Sequence, residues 1–204
     1  MVTFAIMTED AMRVQGPPQG QWTREDWEQQ DHEAGIRYEI IEGYLYMSTS
    51  PSLMHQYTLK RLYALVGLPA ENARLGQAWF APIGVFMPGT QPVQPDFVFV
   101  KVDRSDILLD KHINGVPDLI VEILSPGNRA YDEDTKFKAY QKAGVPEYGM
   151  IDPVARNLAV YVLIQGQYKF AGSYAGDDIC TFKCLPTLSF RVGALFDGAP
   201  DTTL

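Results

Sequence analysis

Two acidic residues stand where apolar strands are predicted. Asp96 precedes the apolar run 97–100, and Glu122 lies inside the run 119–124, which reads LIVEIL. A buried carboxylate is costly unless it is paired with a cation or bound to a metal ion. Two carboxylates on neighbouring strands could together bind one Mg²⁺, an ion that prefers hard oxygen ligands. Such an ion would activate a bound water and stabilise the charge that develops during attack on phosphorus.

A lysine follows these acids on a predicted helix. Lys136 lies four residues before Tyr140, so the two side chains are expected on one helix face. A helix packed beside the strand of Glu122 could direct the Lys136 ammonium toward the acids. There it would orient or help to deprotonate an attacking water, or hold the phosphate that is cleaved.

Helical spacing and capping signals predict the helices that would position these groups. The predicted helices span 24–34, 53–67 and 131–144. Thr23 and Asp26 resemble a capping box at the start of the first helix. Pro69 is expected to end or kink the second helix, and Gly144 is expected to stop the third.

Apolar runs bounded by proline and glycine predict the strands. The predicted strands span 78–88, 95–102, 117–124, 147–152, 158–164 and 167–175, with a hairpin over 37–48 that turns at Glu42 and Gly43. The run 117–124 is nearly all apolar and is therefore expected to be central. This mixed order of helices and strands predicts an α/β domain with a central sheet, onto which the tail 185–197 packs.

Composition and charge limit the function. The chain has 204 residues, of which 46% are hydrophobic and 21% charged, as in one globular domain. The net charge is -8, and residues 1–50, with nine acids and three bases, account for -6 of it. A general nucleic-acid coat protein needs a surplus of Lys and Arg, whereas a local basic groove remains compatible with this balance. We expect an N-terminal arm over 1–21 and a single domain over 22–204.

The sequence predicts a cytoplasmic protein with no membrane partner. Charged residues interrupt every apolar run well short of a transmembrane span, and the first residues lack the basic segment of a signal peptide. Cys180 and Cys184 are too few for a disulfide scaffold, and we expect buried thiols in a reducing compartment.

The common catalytic motifs are absent from the sequence. It contains no P-loop, no glycine-rich dinucleotide motif, no GxSxG and no HExxH. A metal-free hydrolase that uses Ser125 or Ser50 with His55 is an alternative, but it would lack a nucleophile elbow and an evident acid partner.

Short motifs of this chain match one known family in type and order. They are Tyr38-Glu39-x-x-x-Gly43, Ser50-Pro51-Ser52 with His55, Pro95-Asp96, the run from Pro117 to Pro126, Lys136-x-x-x-Tyr140, Gly144-Val145-Pro146-Glu147-Tyr148 and Asp152-Pro153. Together they resemble the Uma2 family, the bacterial DUF820 group of restriction-endonuclease-like proteins that is expanded in cyanobacteria. The resemblance covers about residues 22–196, and the segment 117–153 is its most specific part.

This resemblance implies a restriction-endonuclease-like fold, a mixed α/β sheet flanked by helices, with a PD-(D/E)xK nuclease site. Asp96 then takes the position of the first acid and Glu122 that of the second, and both would bind Mg²⁺, for which Mn²⁺ could substitute. The plain motif has a lysine two residues after the second acid, where this chain has Leu124. The resemblance therefore implies that Lys136, on the following helix, supplies the lysine.

Other positions near the motifs are secondary candidates or depart from the family. Gln141 and Lys142 are secondary candidates for the role of Lys136. Tyr44 stands where many relatives carry an acid, and Gly149 stands where an aromatic residue is usual. These departures concern the rim of the expected site.

Each assignment has a structural alternative. Glu122 could form a salt bridge with Arg129 or with a lysine. Asp96 could cap the start of a strand. Lys136 could be a solvated helix residue paired with Asp132.

Two further residues are candidates for the site. Glu39 could reach it from the hairpin or could be an exposed strand acid. His55 could contact phosphate or support a ligand, or could be a polar residue at a helix start. Asp118 is expected to be structural, and the remaining aromatic candidates are expected to pack in the core and on sheet faces rather than stack on bases: Tyr38, Tyr44, Tyr46 and Trp79.

The sequence thus predicts a Mg²⁺-dependent endonuclease that hydrolyses phosphodiester bonds in DNA through Asp96, Glu122 and Lys136. The alternative is a catalytically inactive binding module on the same fold, with a protein or nucleic-acid partner. Cleavage of both DNA strands needs two active sites, which is compatible with a homodimer.

Overall fold

The computed structural model describes residues 16–30, 36–48, 51–125 and 131–200. The helices in these ranges are α1 (Arg24–Gln29), α2 (Leu53–Leu62), α3 (Leu68–Asn72) and α4 (Phe137–Ala143). The strands are β1 (Arg37–Ile41), β2 (Tyr44–Ser48), β3 (Gly76–Phe80), β4 (Gly84–Phe86), β5 (Phe97–Lys101), β6 (His112–Asn114), β7 (Leu119–Ile123), β8 (Glu147–Asp152), β9 (Asn157–Ile164), β10 (Gln167–Ala175), β11 (Ile179–Thr181) and β12 (Ser189–Arg191).

A mixed sheet forms the centre of the fold. Its strand order is β10-β9-β8-β7-β5-β3, in which β7 and β8 run parallel and the other neighbours are antiparallel. The parallel pair is joined through α4, because parallel neighbours need a crossover connection. The expected α/β architecture with a central sheet is confirmed, and the strand predicted over 117–124 is interior, as β7.

The interior strands β5 and β7 are buried on both faces, which explains their continuous apolar runs. Phe97, Phe99 and Val121 point into a core that also contains side chains of α2 and the C-terminal tail. Val98 and Ile120 point into the opposite core, which contains side chains of α4. Because side chains alternate along a strand, the even-numbered side chains of β7 face α4.

The hairpin β1–β2 forms a separate two-stranded unit beside the main sheet. Glu42 and Gly43 have φ angles of 50° and 80°, as required for a tight two-residue hairpin turn. The described part of the predicted N-terminal arm lies against this turn. The backbone N–H groups of Gly20 and Trp22 donate to the Gly43 carbonyl at 2.8 and 2.9 Å. Residues 1–15 of the arm lie outside the described residues.

The single strand predicted over 78–88 is wrong. The segment forms β3 and β4, which belong to different sheets, and β4 pairs in parallel with β6. The intervening Pro82 has no backbone N–H to continue the ladder with β5. The short strands β6, β11 and β12 had no distinct apolar pattern and were not predicted.

The predictions for the second and third helices need two corrections. Pro69 does not end the second helix, because a π-helical segment, Tyr63–Gly67, leads into α3. Pro69 lies in the first turn of α3, where a missing N–H costs little. The third helix begins with a π-helical turn, Tyr131–Lys136, before α4, and Gly144 stops it with a φ of 86°, as predicted.

Predictions for the first helix and for the C-terminal tail can also be compared with the structure. The capping box of Thr23 and Asp26 is present at α1. The predicted continuation of this helix through residue 30 is wrong, because Gln30 has an extended backbone and caps the helix end; the predicted residues 31–34 lie outside the described ranges. Leu195 and Phe196 of the tail are buried in the core, as expected. Within the described ranges, no helix is both long and apolar enough to cross a membrane.

Two phenylalanines that differ in burial should differ strongly in their contribution to the free energy of unfolding. Phe97 is fully buried in β5, whereas the Phe170 side chain is 61% exposed on β10. We expect Phe97→Ala to lower the free energy of unfolding by about 4 kcal/mol, because it leaves a cavity in the core. The control Phe170→Ala should cost less than about 1 kcal/mol. Urea denaturation of both variants measures this, and equal losses would contradict the proposed core.

Candidate functional site

The register between β5 and β7 brings the two predicted carboxylates together. Phe97 pairs with Val121, and the next position of the same register places Asp96 across from Glu122. The Asp96 backbone N–H donates to Glu122 Oε2 at 3.4 Å. Both residues are buried, with 2% and 1% of their surface exposed. Like charges opposite each other in a sheet are destabilising, so this arrangement requires cations nearby.

Three donors surround the Asp96 carboxylate. Arg37 Nη1 donates to Oδ1 at 2.8 Å, and Nε2 of His55 hydrogen-bonds Oδ2 at 2.9 Å. The Ile123 backbone N–H also donates to Oδ2, at 2.9 Å. The first donor comes from β1, the second from the start of α2 and the third from the end of β7. Asp96 therefore links three elements that are distant in sequence.

These donors control the ionisation of Asp96. Burial by itself would raise the pKa of the carboxyl, but the hydrogen bond with His55 and the positive charge of Arg37 outweigh it. They hold the Asp96 pKa well below its ordinary value of 3.8. Burial would likewise lower the pKa of Arg37, but the charges of Asp96, Glu39 and Glu122 raise it above its ordinary value. The pair is thus ionised at neutral pH.

Lys136 and Tyr140 lie on one helix face, as their four-residue spacing predicted, and both reach Glu122. The Tyr140 hydroxyl donates to Glu122 Oε1 at 2.6 Å, and Lys136 Nζ lies 3.2 Å from the same oxygen. Burial, together with the charges of Glu122 and Glu39, raises the pKa of Tyr140 well above its ordinary value. Tyr140 therefore stays a hydroxyl donor that fixes the orientation of the Glu122 carboxylate.

Glu39 completes the cluster from the hairpin. Lys136 Nζ lies 3.3 Å from Glu39 Oε2, and the Gln94 backbone N–H donates to Glu39 Oε1 at 2.8 Å. Only 3% of Glu39 is exposed, so the alternative of an exposed strand acid is wrong. The structure thus brings all five predicted site residues into one buried cluster.

The structural alternatives have mixed outcomes. Glu122 does pair with a lysine, namely Lys136, but Lys136 is not solvated, since only 2% of it is exposed. Arg129, Ser50 and the side chain of Asp132 lie outside the described residues.

Asp118 is structural, as expected. Its carboxylate accepts from the Lys101 backbone N–H at 2.9 Å and from Arg104 Nη1 at 3.1 Å. These contacts fix the loop after β5 to the start of β7 and involve none of the cluster residues.

The aromatic candidates divide. Tyr38 is buried in the core, whereas Tyr44 and Trp79 are 49% and 38% exposed on strands β2 and β3 and lie outside the core. Tyr44 and Tyr46 line a cavity of about 240 Å³ between the hairpin and α4, with Lys138 and Lys142.

Arg37 is the site residue that the sequence analysis missed. It opens β1 and looks like an ordinary surface arginine, but its guanidinium reaches Asp96 across 59 residues of chain. One signal was available: Arg37 and Glu39 are two positions apart on a strand, so their side chains share a face. A prediction that placed Glu39 in the site should therefore have included Arg37.

The donors of the cluster fit Mg²⁺. Asp96 and Glu122 supply hard oxygens, and the buried Oε1 of Gln94, whose backbone N–H donates to Glu39, has no hydrogen-bond partner among the described residues. Within the described ranges, no group of three or more His, Cys, Asp and Glu side chains is arranged as a metal site. Mg²⁺ is commonly held by one or two carboxylates together with water and substrate phosphates. The donor set therefore suits an ion shared with a substrate rather than a complete protein cage.

The pairing of Asp96 predicts a pH-dependent contribution to stability. Asp96→Asn leaves Arg37 buried beside a neutral amide and should lower the free energy of unfolding by about 3 kcal/mol at pH 7. Because folding lowers the Asp96 pKa, its contribution is complete above about pH 5 and is lost as the pH falls below the ordinary value of 3.8. Denaturation of wild type and variant from pH 7 to pH 3 measures the difference. A difference that stays constant over this range would contradict the assignment.

Solved structures show a similar fold. Five chains match, among them the 1.96 Å crystal structure of "a putative nuclease belonging to DUF820 from Anabaena variabilis ATCC 29413". It superimposes with a TM-score of 0.72 at 18% sequence identity, and the alignment covers 86% of this chain and 98% of the other. This similarity confirms the expected restriction-endonuclease-like fold class. No curated protein matches the chain significantly.

The family comparison covers the same part of the chain as the cluster. Residues 24–193 match the family model described as "Putative restriction endonuclease", a range that includes every residue of the cluster. The chain belongs to the Uma2 family.

Proposed function

We propose that this protein is a Mg²⁺-dependent endonuclease that hydrolyses phosphodiester bonds in DNA. The observation that carries the proposal is the buried cluster in which Asp96 lies across from Glu122 and Lys136 Nζ lies 3.2 Å from Glu122. Two carboxylates and a lysine in contact are the groups that a PD-(D/E)xK-type site uses. Membership of a family described as restriction endonucleases supports the same function.

Asp96 and Glu122 would hold the metal ion. When bound, Mg²⁺ would polarise the scissile phosphate and activate an attacking water. The Tyr140 hydroxyl keeps Glu122 Oε1 in place, and the Ile123 N–H and His55 keep Asp96 Oδ2 in place. Ligands that are already oriented lose little freedom when an ion binds.

Lys136 would act on the reacting groups. Its ammonium lies between Glu39 and Glu122, and it can donate hydrogen bonds to the attacking water or to a phosphate oxygen. A fixed positive charge at that position stabilises the negative charge that accumulates on phosphorus. Glu39 would hold Lys136 in position rather than act on the substrate.

DNA is the partner that we propose. The overall charge of -8 is unfavourable for a polyanion, but Lys138 and Lys142 lie beside the cavity between the hairpin and α4. Each is paired with an acid, Asp134 and Glu42 respectively, so we expect weak attraction that falls with added salt. We further propose that the protein is cytoplasmic. We also propose that it forms a homodimer, which would supply the two active sites needed for double-strand cleavage.

Loss of either carboxylate should abolish both metal binding and cleavage. We expect Asp96→Ala and Glu122→Gln to eliminate Mg²⁺-dependent cleavage of DNA and Mg²⁺ binding by calorimetry. The matched control is Glu147→Gln, a glutamate 2% exposed on the neighbouring strand, whose carboxylate accepts from backbone N–H groups of Lys183 and Cys184. Circular dichroism verifies that each variant is folded.

The outcome also separates the active enzyme from the binding module. Cleavage that persists in both variants would show that the site is wrongly assigned. A folded wild-type protein that neither binds Mg²⁺ nor cleaves DNA would favour the catalytically inactive module.

Lys136 should affect the reaction more than ion binding. Lys136→Met removes the ammonium and keeps a side chain of similar length, and we expect kcat to fall by about 10² or more. Mn²⁺ binding should be retained, because both proposed ligands remain. Lys169→Met, an exposed lysine on β10 whose Nζ donates to Gln167, is the control and should keep its kcat. An unchanged kcat in Lys136→Met would exclude Lys136 from the reaction.

A further inference from the structure

Arg37 holds one oxygen of the carboxylate that the proposed metal ion would need. Arg37 Nη1 donates to Asp96 Oδ1 at 2.8 Å, while Oδ2 already accepts from His55 and the Ile123 N–H. A guanidinium and a divalent cation compete for the same carboxylate because both are attracted to its charge. Both carboxylate oxygens of Asp96 are therefore engaged in this structure.

The charge count at the cluster is close to neutral. Among the described residues that meet there, three carboxylates face two fixed cations, Arg37 and Lys136, with one net negative charge when His55 is neutral. Counted over these described residues alone, a divalent cation would change the net charge from one negative to one positive. If Arg37 leaves the cluster, the same ion brings the charge to zero, and the guanidinium becomes free for an anion.

The surroundings of the three groups that donate to Asp96 indicate that Arg37 is the donor that can move away from it. The Ile123 donor is a backbone N–H at the end of the central strand β7, which is fixed by the sheet. His55 is 7% exposed in the first turn of α2, where its own backbone N–H donates to the capping hydroxyl of Ser52. Arg37 has an 18% exposed side chain at the first position of β1, outside the main sheet.

We infer that the Arg37–Asp96 ion pair weakens metal binding at the site until substrate arrives, when Arg37 moves from Asp96 to a substrate phosphate. This inference rests on the proposed function and adds a positioning residue to it. A guanidinium matches a phosphate as well as it matches a carboxylate, with two parallel hydrogen bonds. Metal binding and substrate binding are then coupled through one side chain, so each strengthens the other.

The first test measures Mn²⁺ binding without nucleic acid. We expect Arg37→Gln to bind Mn²⁺ at least tenfold more tightly than wild type in calorimetric titrations, because the competing cation is gone. The matched control is Arg104→Gln, which removes an arginine from another buried carboxylate, Asp118, at 3.1 Å. Its Mn²⁺ affinity should equal that of wild type. If Arg37→Gln does not fold, Arg37→Lys replaces it, with an expected gain of at least threefold.

The second test repeats the titrations with a hydrolysis-resistant phosphorothioate DNA duplex at saturation. In wild type the duplex should tighten Mn²⁺ binding by about fivefold or more, because it accepts Arg37. In Arg37→Gln this gain should disappear, whereas Arg104→Gln should retain it. A purely structural role of Arg37 would change stability but would not change this coupling.

The outcomes separate this inference from the proposed function. Tighter Mn²⁺ binding with lost coupling in Arg37→Gln supports the inference. Wild type that binds Mn²⁺ while the folded Arg37 variant binds it no more tightly overturns the inference and leaves the proposed function in place. If neither wild type nor the variant binds Mn²⁺, both are overturned.

Discussion

The antiparallel register of β5 and β7 sets two carboxylates opposite each other in the interior, and the surrounding structure depends on that constraint. Asp96 and Glu122 cannot both be charged in a dry core unless cations are brought to them. The sheet supplies none, so the cations come from outside it. Arg37 arrives on the hairpin and Lys136 on the helix that crosses between β7 and β8. The positions of hairpin and helix are thus tied to the charges that they neutralise.

The same contacts join the hairpin to the main sheet. The hairpin has its own small apolar cluster around Trp22 and Ile40, and its Ile41 and Tyr46 also pack in the core on the α4 face of the main sheet. Its links to the sheet include Arg37 to Asp96 and Glu39 to the Gln94 N–H. Buried polar networks of this kind favour one geometry through their paired members, although among the described residues His55 Nδ1 and Gln94 Oε1 have no hydrogen-bond partner. The cluster therefore acts as both a structural joint and a candidate reaction site.

The fold of this chain is shown by its shared sheet and helices, whereas its chemistry depends on individual side chains. A TM-score of 0.72 at 18% identity shows that the sheet and its flanking helices are shared with a solved DUF820 structure. A fold can host several functions, so the chemistry depends on particular side chains and their contacts. Here those contacts are the hydrogen bonds and ion pairs around Asp96 and Glu122. These contacts indicate which atoms a nuclease reaction in this family would use.

The sequence by itself determined the interior strands β5 and β7, the helix face shared by Lys136 and Tyr140, and the burial of the two acids. These are properties of local apolar patterns and helical spacing, which depend on neighbouring residues only. It could not decide that Pro69 would continue a helix, that the segment 78–88 would divide between two sheets, or that Arg37 would pair with Asp96. Those outcomes depend on which distant surfaces meet and on the charges that each buries. Only the tertiary structure brings those surfaces and charges together.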